Sequence, residues 1–343
     1  MTRSGWAGLA AQKTEEGRGA ELSSEIQSEP SREKPCVFIH TNHKQILGAI
    51  VGAHSIRRQS THNDKFDVCL IEHRNYPFLS EKEGKPFLRD GVERIWRNED
   101  LQSFTPLRFM PPELMGYQGR AVVIDPDVFA VGDTWNLLQR DMQGKAILCR
   151  PRDRKKRTVH GRMATSVMLL DCAQLRHWRV ADQFQALFDK RLDYKDWITL
   201  VPEPRESIGL FESGWNDLDR FSRTTQMLHT TKRWTQPWKT GLPIDFTPAD
   251  KFRKFPPLGW ALWARRRLLG DHALLGHYRA HPDANQEGYF FGLLRECVEA
   301  GMVTPEFITE QIERKHVRSD AFQVMEKAPK TDSVLSALPA TAA

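Results

Sequence analysis

The sequence predicts an α/β protein whose central sheet is mostly parallel and flanked by helices. Near residue 36, two apolar stretches of strand composition flank a segment whose apolar residues recur at helical spacing. That order is typical of a β-α-β unit with two parallel strands. A further β-branched stretch, Ala121–Ile124, ends abruptly at two carboxylates. This arrangement is typical of a strand that opens onto a ligand site at the edge of an α/β sheet.

The other elements follow from composition and periodicity. Asp133 is the predicted N-cap of a short helix, because its carboxylate can accept a hydrogen bond from a free backbone amide. Polar residues 82–102 are expected to form loops with one helix, and 193–215 a loop. The predicted elements are strands at Cys36–Ile39, Phe66–Glu72, Lys145–Cys149 and Met163–Asp171, and helices at Ile46–Ile56, Asp133–Arg140, Cys172–Leu192, Trp260–Leu275, Phe290–Glu299 and Pro305–Lys315.

Changes in composition divide the chain into four segments. Residues 1–34 are rich in Gly, Ser, Glu and Arg and are expected to be a disordered leader. Residues 35–247 hold the predicted sheet, and 248–327 form a helical C-terminal extension. Residues 328–343 are rich in Ser, Ala, Pro and Thr and are expected to be a disordered tail.

Overall composition restricts the compartment and the partners. The formal net charge is +6, which favours anionic partners. The five cysteines are scattered and show no C-x-x-C spacing, a pattern that indicates a reduced, intracellular protein. There is no signal peptide and no apolar stretch near 18 residues. We therefore expect a cytoplasmic protein that is at most peripheral to a membrane.

Asp125 and Asp127 are the strongest candidates for a metal site. They follow the Ala121–Ile124 strand and are separated by Pro126. Hard carboxylate oxygens suit Mg²⁺ or Mn²⁺ that bridges a diphosphate. The alternative is an ordinary turn, because Asp and Pro are common turn formers.

His229 opens a second candidate segment, about a hundred residues later. A histidine can complete a mixed nitrogen and oxygen site of the kind that Mn²⁺ tolerates. Lys232, Arg233 and Lys239 follow closely and could neutralise diphosphate charge on a leaving group. The alternative is a structural histidine.

Residues 150–162 contain seven Arg or Lys. Such a stretch forms either a solvated loop or an anion-binding loop. A nucleic-acid binder is unlikely from the sequence, because no helix-turn-helix, zinc or RNP-type signature accompanies the positive charge.

These features occur in an ordered series from Pro35 to Gly241 that resembles the family 8 retaining glycosyltransferases. Those are the glycogenin-like and lipopolysaccharide-galactosyltransferase-like enzymes, which have a GT-A fold. The quoted stretches are Thr41-Asn42, Arg108-Phe109, Val-Ile-Asp-Pro-Asp-Val-Phe-Ala-Val-Gly-Asp, Met-Ala-Thr-Ser-Val-Met-Leu-Leu-Asp, Gly214-Trp215-Asn216 and His229 to Pro237-Trp238.

The resemblance implies a nucleotide-sugar donor, usually a UDP-sugar, and a divalent cation, usually Mn²⁺. It implies that residues 35–247 form the transferase domain. By position it assigns metal binding to Asp125, Asp127 and His229, and a donor contact to Arg108. The phosphate role of the family's lysine would pass to Lys232, Arg233 or Lys239, and we expect Arg108, Lys232 and Lys239 to be the catalytic residues. Donor binding falls to Thr41, Asn42, Asp125, Asp127 and Trp238.

The sequence also departs from the family pattern, which marks a divergent member. In the family motif H-x-x-G-x-x-K-P-W, Lys232 replaces the glycine, Gln236 replaces the lysine, and Pro-Trp comes one residue late. The family's F-N-S-G-V stretch is Met163-Ala164-Thr165-Ser166-Val167 here and lacks the asparagine. The nearest counterpart of its D-Q-D motif is Asp193-Tyr194-Lys195-Asp196.

The sequence therefore predicts a metal-dependent glycosyltransferase whose acceptor is an unidentified glycan, lipid-linked or protein group, with retention implied by the resemblance. The alternative is a non-catalytic descendant that binds a nucleotide sugar or glycan. Residues 258–269 combine two tryptophans with three arginines. This segment is either a helix docked on the protein or an interfacial helix on a membrane.

Overall fold

The computed structural model describes residues 26, 29–152, 158–246, 275–340 and three pairs, 260–261, 264–265 and 268–269. Most of the predicted leader, the middle of the basic stretch 150–162, and half of the predicted 258–269 helix lie outside the described residues. The three described pairs of that helix are helical.

A six-stranded sheet forms the centre of the molecule. Its strand order is β2-β1-β5-β8-β7-β9, and three of its five neighbouring pairs are parallel. The predicted mixed, mostly parallel sheet is therefore confirmed. The strands of the protein are β1 (Cys36–Thr41), β2 (Asp67–Glu72), β3 (Pro86–Arg89), β4 (Val92–Ile95), β5 (Arg120–Ile124), β6 (Val128–Ala130), β7 (Ile147–Pro151), β8 (Met163–Asp171), β9 (Ile208–Leu210), β10 (Asp217–Leu218) and β11 (Met227–His229).

Helices flank the sheet and form the C-terminal part of the chain. Asp133 caps its helix as predicted, since its Oδ1 accepts a hydrogen bond of 2.9 Å from the backbone amide of Trp135. The helices of the described residues are α1 (Ile46–Arg58), α2 (Pro77–Ser80), α3 (Pro111–Leu114), α4 (Thr134–Leu138), α5 (Val180–Phe188), α6 (Tyr194–Trp197), α7 (Ala284–Glu299), α8 (Pro305–Glu313), α9 (Ala321–Lys327) and α10 (Thr331–Ser336).

Close packing of α1 fixes the turn that follows β5. A Cβ on Gly48 would lie 2.6 Å from the carbonyl oxygen of Pro126, so only glycine allows this approach. Across from α1, the aromatic rings of Trp238 and Phe290 stack with centroids 4.7 Å apart. The Asp125-Pro126-Asp127 turn is thus held by a rigid core.

Three parts of the chain differ from the sequence prediction. Residues 82–102, expected to be loops with one helix, contain the β3–β4 hairpin. The predicted helix Cys172–Leu192 is shorter, because a 3-10 turn and an irregular stretch precede α5. The 193–215 segment, expected to be a loop, contains α6 and β9.

The prediction that residues 328–343 form a disordered tail is wrong for residues 328–340. Residues Thr331–Ser336 form α10, and Val334 and Leu338 are buried. Asp332 of this helix lies 2.8 Å from the guanidinium of Arg58 on α1. Arg295 of α7 also donates hydrogen bonds to the carbonyls of Ala328 and Pro329, so the segment is docked although its composition alone suggests disorder.

Among the described residues, no helix combines the length and the apolar character that crossing a bilayer requires.

Candidate functional site

Two strand pairings bring the predicted metal ligands together. Asp125 follows β5 directly, and β6 begins after Asp127. Strand β11 pairs antiparallel with β6 so that His229 lies opposite Val128, next to Asp127. One ligand atom from each of Asp125, Asp127 and His229 lies within 4.8 Å of the others. The structure thus brings all three predicted metal ligands into one cluster.

The His229 ring is held in the orientation that a metal ligand requires. Its Nδ1 lies 3.0 Å from Oδ1 of Asn216, and its Nε2 lies 3.3 Å from Oδ1 of Asp127. Because an amide oxygen can only accept, Nδ1 carries the hydrogen and the lone pair of a neutral ring lies on Nε2. Burial disfavours the charged ring, but the carboxylates of Asp127 and Asp125 outweigh burial and raise the pKa of His229.

Asp125 is held by two side chains from neighbouring elements. His40, in β1, places Nε2 3.0 Å from Oδ1 of Asp125. Arg108 donates from Nη2 to both carboxylate oxygens, at 2.8 and 3.0 Å, and from Nη1 to Thr165. Burial alone would raise the pKa of Asp125, but the Arg108 guanidinium and the His40 ring outweigh it and hold that pKa well below its usual range. Asp125 is therefore ionised in the folded protein.

Asp127 is oriented by both its backbone and its side chain. Its carbonyl oxygen accepts a hydrogen bond of 3.0 Å from the amide of Thr230. Its Oδ2 accepts 3.2 Å from Nε2 of Gln236, whose own Oε1 accepts 3.1 Å from Nε2 of Gln45. Gln236 stands where the resemblance predicts a lysine, so an amide here replaces a positive charge.

A cleft opens directly over the two aspartates. The cleft is small, with a cavity volume of about 30 Å³. Arg233 is the only cation among its lining residues. The lining is formed by Gln45, Leu101, Gln102, Phe104, Thr105, Asp125, Pro126, Asp127, Arg233 and Gln236.

The predicted catalytic lysines lie elsewhere. Lys239 is fully buried, and its Nζ lies 2.6 Å from Oδ2 of Asp245 in a buried ion pair. Lys232 is exposed and, like Lys239, is absent from the cleft lining. Among the three basic residues of this segment, Arg233 is the one that the fold turns toward the aspartates. All three follow His229 within ten residues, and the sequence does not select among them.

The predicted donor contacts Thr41, Asn42 and Trp238 are all buried. Nδ2 of Asn42 donates to Ser103 at 3.2 Å and to the carbonyl of Leu101 at 3.4 Å, which ties the end of β1 to the wall of the cleft. Trp238 packs in the core. These residues support the cleft but are not among its lining residues.

The donor set fits a hard divalent cation. Two carboxylates and an imidazole supply the oxygen and nitrogen ligands that Mn²⁺ and Mg²⁺ accept. The second ring nitrogen of His229 is bound by Asn216, the arrangement that usually orients a metal-bound histidine. His40 is a partner of Asp125 that the sequence does not predict. The parallel register of β1 and β5 pairs Ile39 with Ile124, which puts His40 beside Asp125.

Comparison with known proteins finds similarity to solved glycosyltransferases, the class that the sequence predicts. The apo form of the glycosyltransferase GlyE of Streptococcus pneumoniae TIGR4 is 13% identical over 60% of this chain and 56% of GlyE, with a TM-score of 0.41. This chain therefore spans little more than half the length of GlyE.

Two further solved structures are similar. The galactosyltransferase LgtC, in complex with donor and acceptor sugar analogs, is 10% identical over 59% of this chain and 89% of LgtC, with a TM-score of 0.39. Mouse xyloside xylosyltransferase 1, in its apo form, is 13% identical over 53% of this chain and 86% of that protein, with a TM-score of 0.34. No family model and no curated protein sequence matches the chain.

Proposed function

We propose that this protein is a metal-dependent glycosyltransferase that takes a sugar from a nucleotide-sugar donor. The observation that supports this most is the convergence of Asp125, Asp127 and His229 within 4.8 Å at the end of a buried strand. Ligands typically bind outside the carboxyl ends of such strands in α/β sheets. Two carboxylates and a histidine directly below a cleft suit a cation that holds a diphosphate.

The residues of the chain have distinct tasks in this proposal. Asn216 fixes the His229 ring, while His40 and Arg108 keep Asp125 ionised and aimed at the cleft. A bound divalent cation would supply Lewis-acid stabilisation of the departing nucleotide. Arg233 lines the same cleft and would neutralise charge that develops on the diphosphate.

The finer assignments are also proposals. The sequence resemblance supports a UDP-sugar donor, Mn²⁺ and retention of configuration. The acceptor is a glycan or lipid-linked group, with peripheral association of the 258–269 segment to a membrane surface. Lys232 and Lys239, expected from the sequence to be catalytic, are replaced in this proposal by Arg233, because only Arg233 of the three lines the cleft.

A non-catalytic descendant that binds a nucleotide sugar is the second candidate. The observation that favours it is Gln236, an amide that binds Asp127 where the resemblance predicts a lysine. Release of UDP from UDP-sugars, measured with Mn²⁺ and with EDTA, separates the two. We expect release that requires Mn²⁺ and is lost in Asp127→Asn. If UDP-sugars bind with Mn²⁺ but no UDP is released, the second candidate is correct.

A further inference from the structure

Three basic side chains gather beside the cleft on elements that do not contain the metal ligands. Arg89 ends β3, Arg152 follows β7 directly, and Lys195 lies in the first turn of α6. The backbone amide of Arg152 donates to the carbonyl of Arg162, whose guanidinium lies 3.2 Å from both Asp90 and Asp196, the chain neighbours of Arg89 and Lys195. The charges of Arg152 and Arg89 accordingly act on Lys195. We call these three residues the basic cluster.

The carboxylate of Asp193 joins two of the three elements that carry the basic cluster. Its oxygens accept hydrogen bonds from the backbone amides of Asp90 and Gly91, at 2.9 and 2.8 Å, at the tip of the β3–β4 hairpin. Oδ1 also accepts from the amide of Lys195, at 2.7 Å, and so caps α6. The carboxylate also accepts a hydrogen bond from the amide of Asp196. These four hydrogen bonds bring the end of β3, where Arg89 lies, close to Lys195 in α6.

The acidic residues of this region are already paired. Asp193 is occupied by backbone amides, and Asp90 and Asp196 each lie 3.2 Å from the guanidinium of Arg162. Over the part of the chain that the structure describes, no carboxylate hydrogen-bonds the side chains in the basic cluster. Burial, followed by the charges of Arg152, Arg89 and Arg162, lowers the pKa of Lys195 to about 8, while the carboxylate of Asp90 acts in the opposite direction. Clustered like charges of this kind are stabilised by a bound anion.

The basic cluster is connected to the cleft. The guanidinium of Arg89 lies 4.9 Å from the centre of the Tyr194 ring, and Tyr194 interacts with Thr105, which lines the cleft. The charge of Arg108, which binds Asp125, contributes to lowering the pKa of Arg152. Ile198, which follows α6, accepts a hydrogen bond of 2.7 Å from Thr165, the residue to which Arg108 also donates. The basic cluster therefore contacts the wall of the cleft through Tyr194 and Thr105.

We propose that the acceptor carries a phosphate group and that Arg89, Arg152 and Lys195 bind it. This inference rests on the proposed function, because it names the class of acceptor for the same cleft. Guanidinium and ammonium donors match the charge and the several oxygens of a phosphate monoester. The donor's diphosphate already has the aspartate–histidine cluster and Arg233, so the basic cluster is available for the second substrate.

Calorimetric titration of the full chain with inorganic phosphate, at low ionic strength and without metal, tests this proposal. We expect the double variant Lys195→Met, Arg152→Gln to bind phosphate at least about tenfold more weakly. The matched control Lys190→Met, Arg191→Gln removes the same charge from exposed positions after α5 and should keep the affinity. Acetate at equal ionic strength should compete at least about tenfold more weakly than phosphate.

Several results would overturn the proposal. Equal phosphate affinity in the cluster variant and the unmutated chain would show that the basic cluster does not bind phosphate. Equal competition by acetate would show that the site does not prefer phosphate. Loss of UDP binding with Mn²⁺ in the cluster variant would show that these residues serve the donor. Asp127→Ala should keep phosphate binding. If phosphate binds at the basic cluster while UDP and Mn²⁺ do not bind at all, the phosphate site stands and the proposed glycosyltransferase function fails.

Discussion

At the scale of single residues, the cluster depends on side chains that support the metal ligands without contacting the cleft. Asn216 is fully buried, and its amide oxygen sets which nitrogen of His229 carries the hydrogen. His40 and Arg108 set the charge and direction of Asp125 in the same way. Partners of this kind typically change metal affinity by about 10- to 100-fold when they are removed.

Asn216→Ala should therefore weaken Mn²⁺ binding by about 10- to 100-fold, because the His229 ring is no longer fixed and its Nδ1–H loses its acceptor. Calorimetric titration with Mn²⁺ measures the change. The control is Asn75→Ala, which removes an exposed asparagine from the turn after β2. Unchanged Mn²⁺ affinity in Asn216→Ala would show that the amide has no part in orienting the ligand.

The sequence identifies the three metal-binding candidates but not the residues that support them. Asp125 and Asp127 stand out because charge follows an apolar strand abruptly. His40 and Asn216 lack such a signal, since their partners are set by strand register and not by spacing along the chain. Lys239 illustrates the converse: its place in the motif suggests catalysis, but the fold buries it against Asp245.

At the scale of elements, the β3–β4 hairpin is the main surprise. Its turn, Asp90-Gly91, has positive φ angles of 55° and 71°, the combination that favours a tight two-residue hairpin. The short strands contain several charged residues, which conceals the alternation of a strand. The Asp-Gly pair is the signal that could have revealed it.

Asp193 joins this hairpin to α6, so Asp193→Ala should reduce the free energy of unfolding by about 1–2 kcal/mol. Burial raises the pKa of Asp193, but four backbone amides outweigh burial and lower it. A lowered folded-state pKa gives stability that is present above the unfolded value and is lost as pH falls through the folded value. Urea unfolding of both proteins should therefore show a difference at neutral pH that shrinks in acid. A difference that does not change with pH would contradict this role of the carboxylate.

Exposed apolar side chains within 260–269 support the proposed association with a membrane surface. Trp260, Leu268 and Leu269 are 75%, 81% and 59% exposed. We expect the protein to co-sediment with anionic vesicles at low salt and to be released as salt rises. Replacing all three residues by Ser should reduce sedimentation without lowering the melting temperature, whereas Ile95→Ser with Val201→Ser should not. No sedimentation of the unmutated protein at low salt would rule the membrane role out.

At the scale of the whole molecule, the α/β class and the metal cluster follow from sequence, whereas the C-terminal architecture does not. The apolar strand stretches, together with the helical periodicity of the segment between the first two of them, predict the sheet. The last helices are recognised by contacts that are distant in sequence, such as the ion pair between Arg58 and Asp332 and the stack of Trp238 on Phe290. The chain end is rich in Ser and Ala, and this composition does not predict those contacts.

We propose that Asp125, Asp127 and His229 form one metal site. Electron paramagnetic resonance of Mn²⁺, titrated into the full chain in the presence of UDP, tests it most directly, because the signals of free and bound Mn²⁺ differ. We expect one bound Mn²⁺ per chain, with affinity reduced by at least about 100-fold in Asp127→Ala, which removes a charged ligand, and unchanged in Asp141→Ala, an exposed control. Equal Mn²⁺ binding by the unmutated chain and by Asp127→Ala would contradict the account.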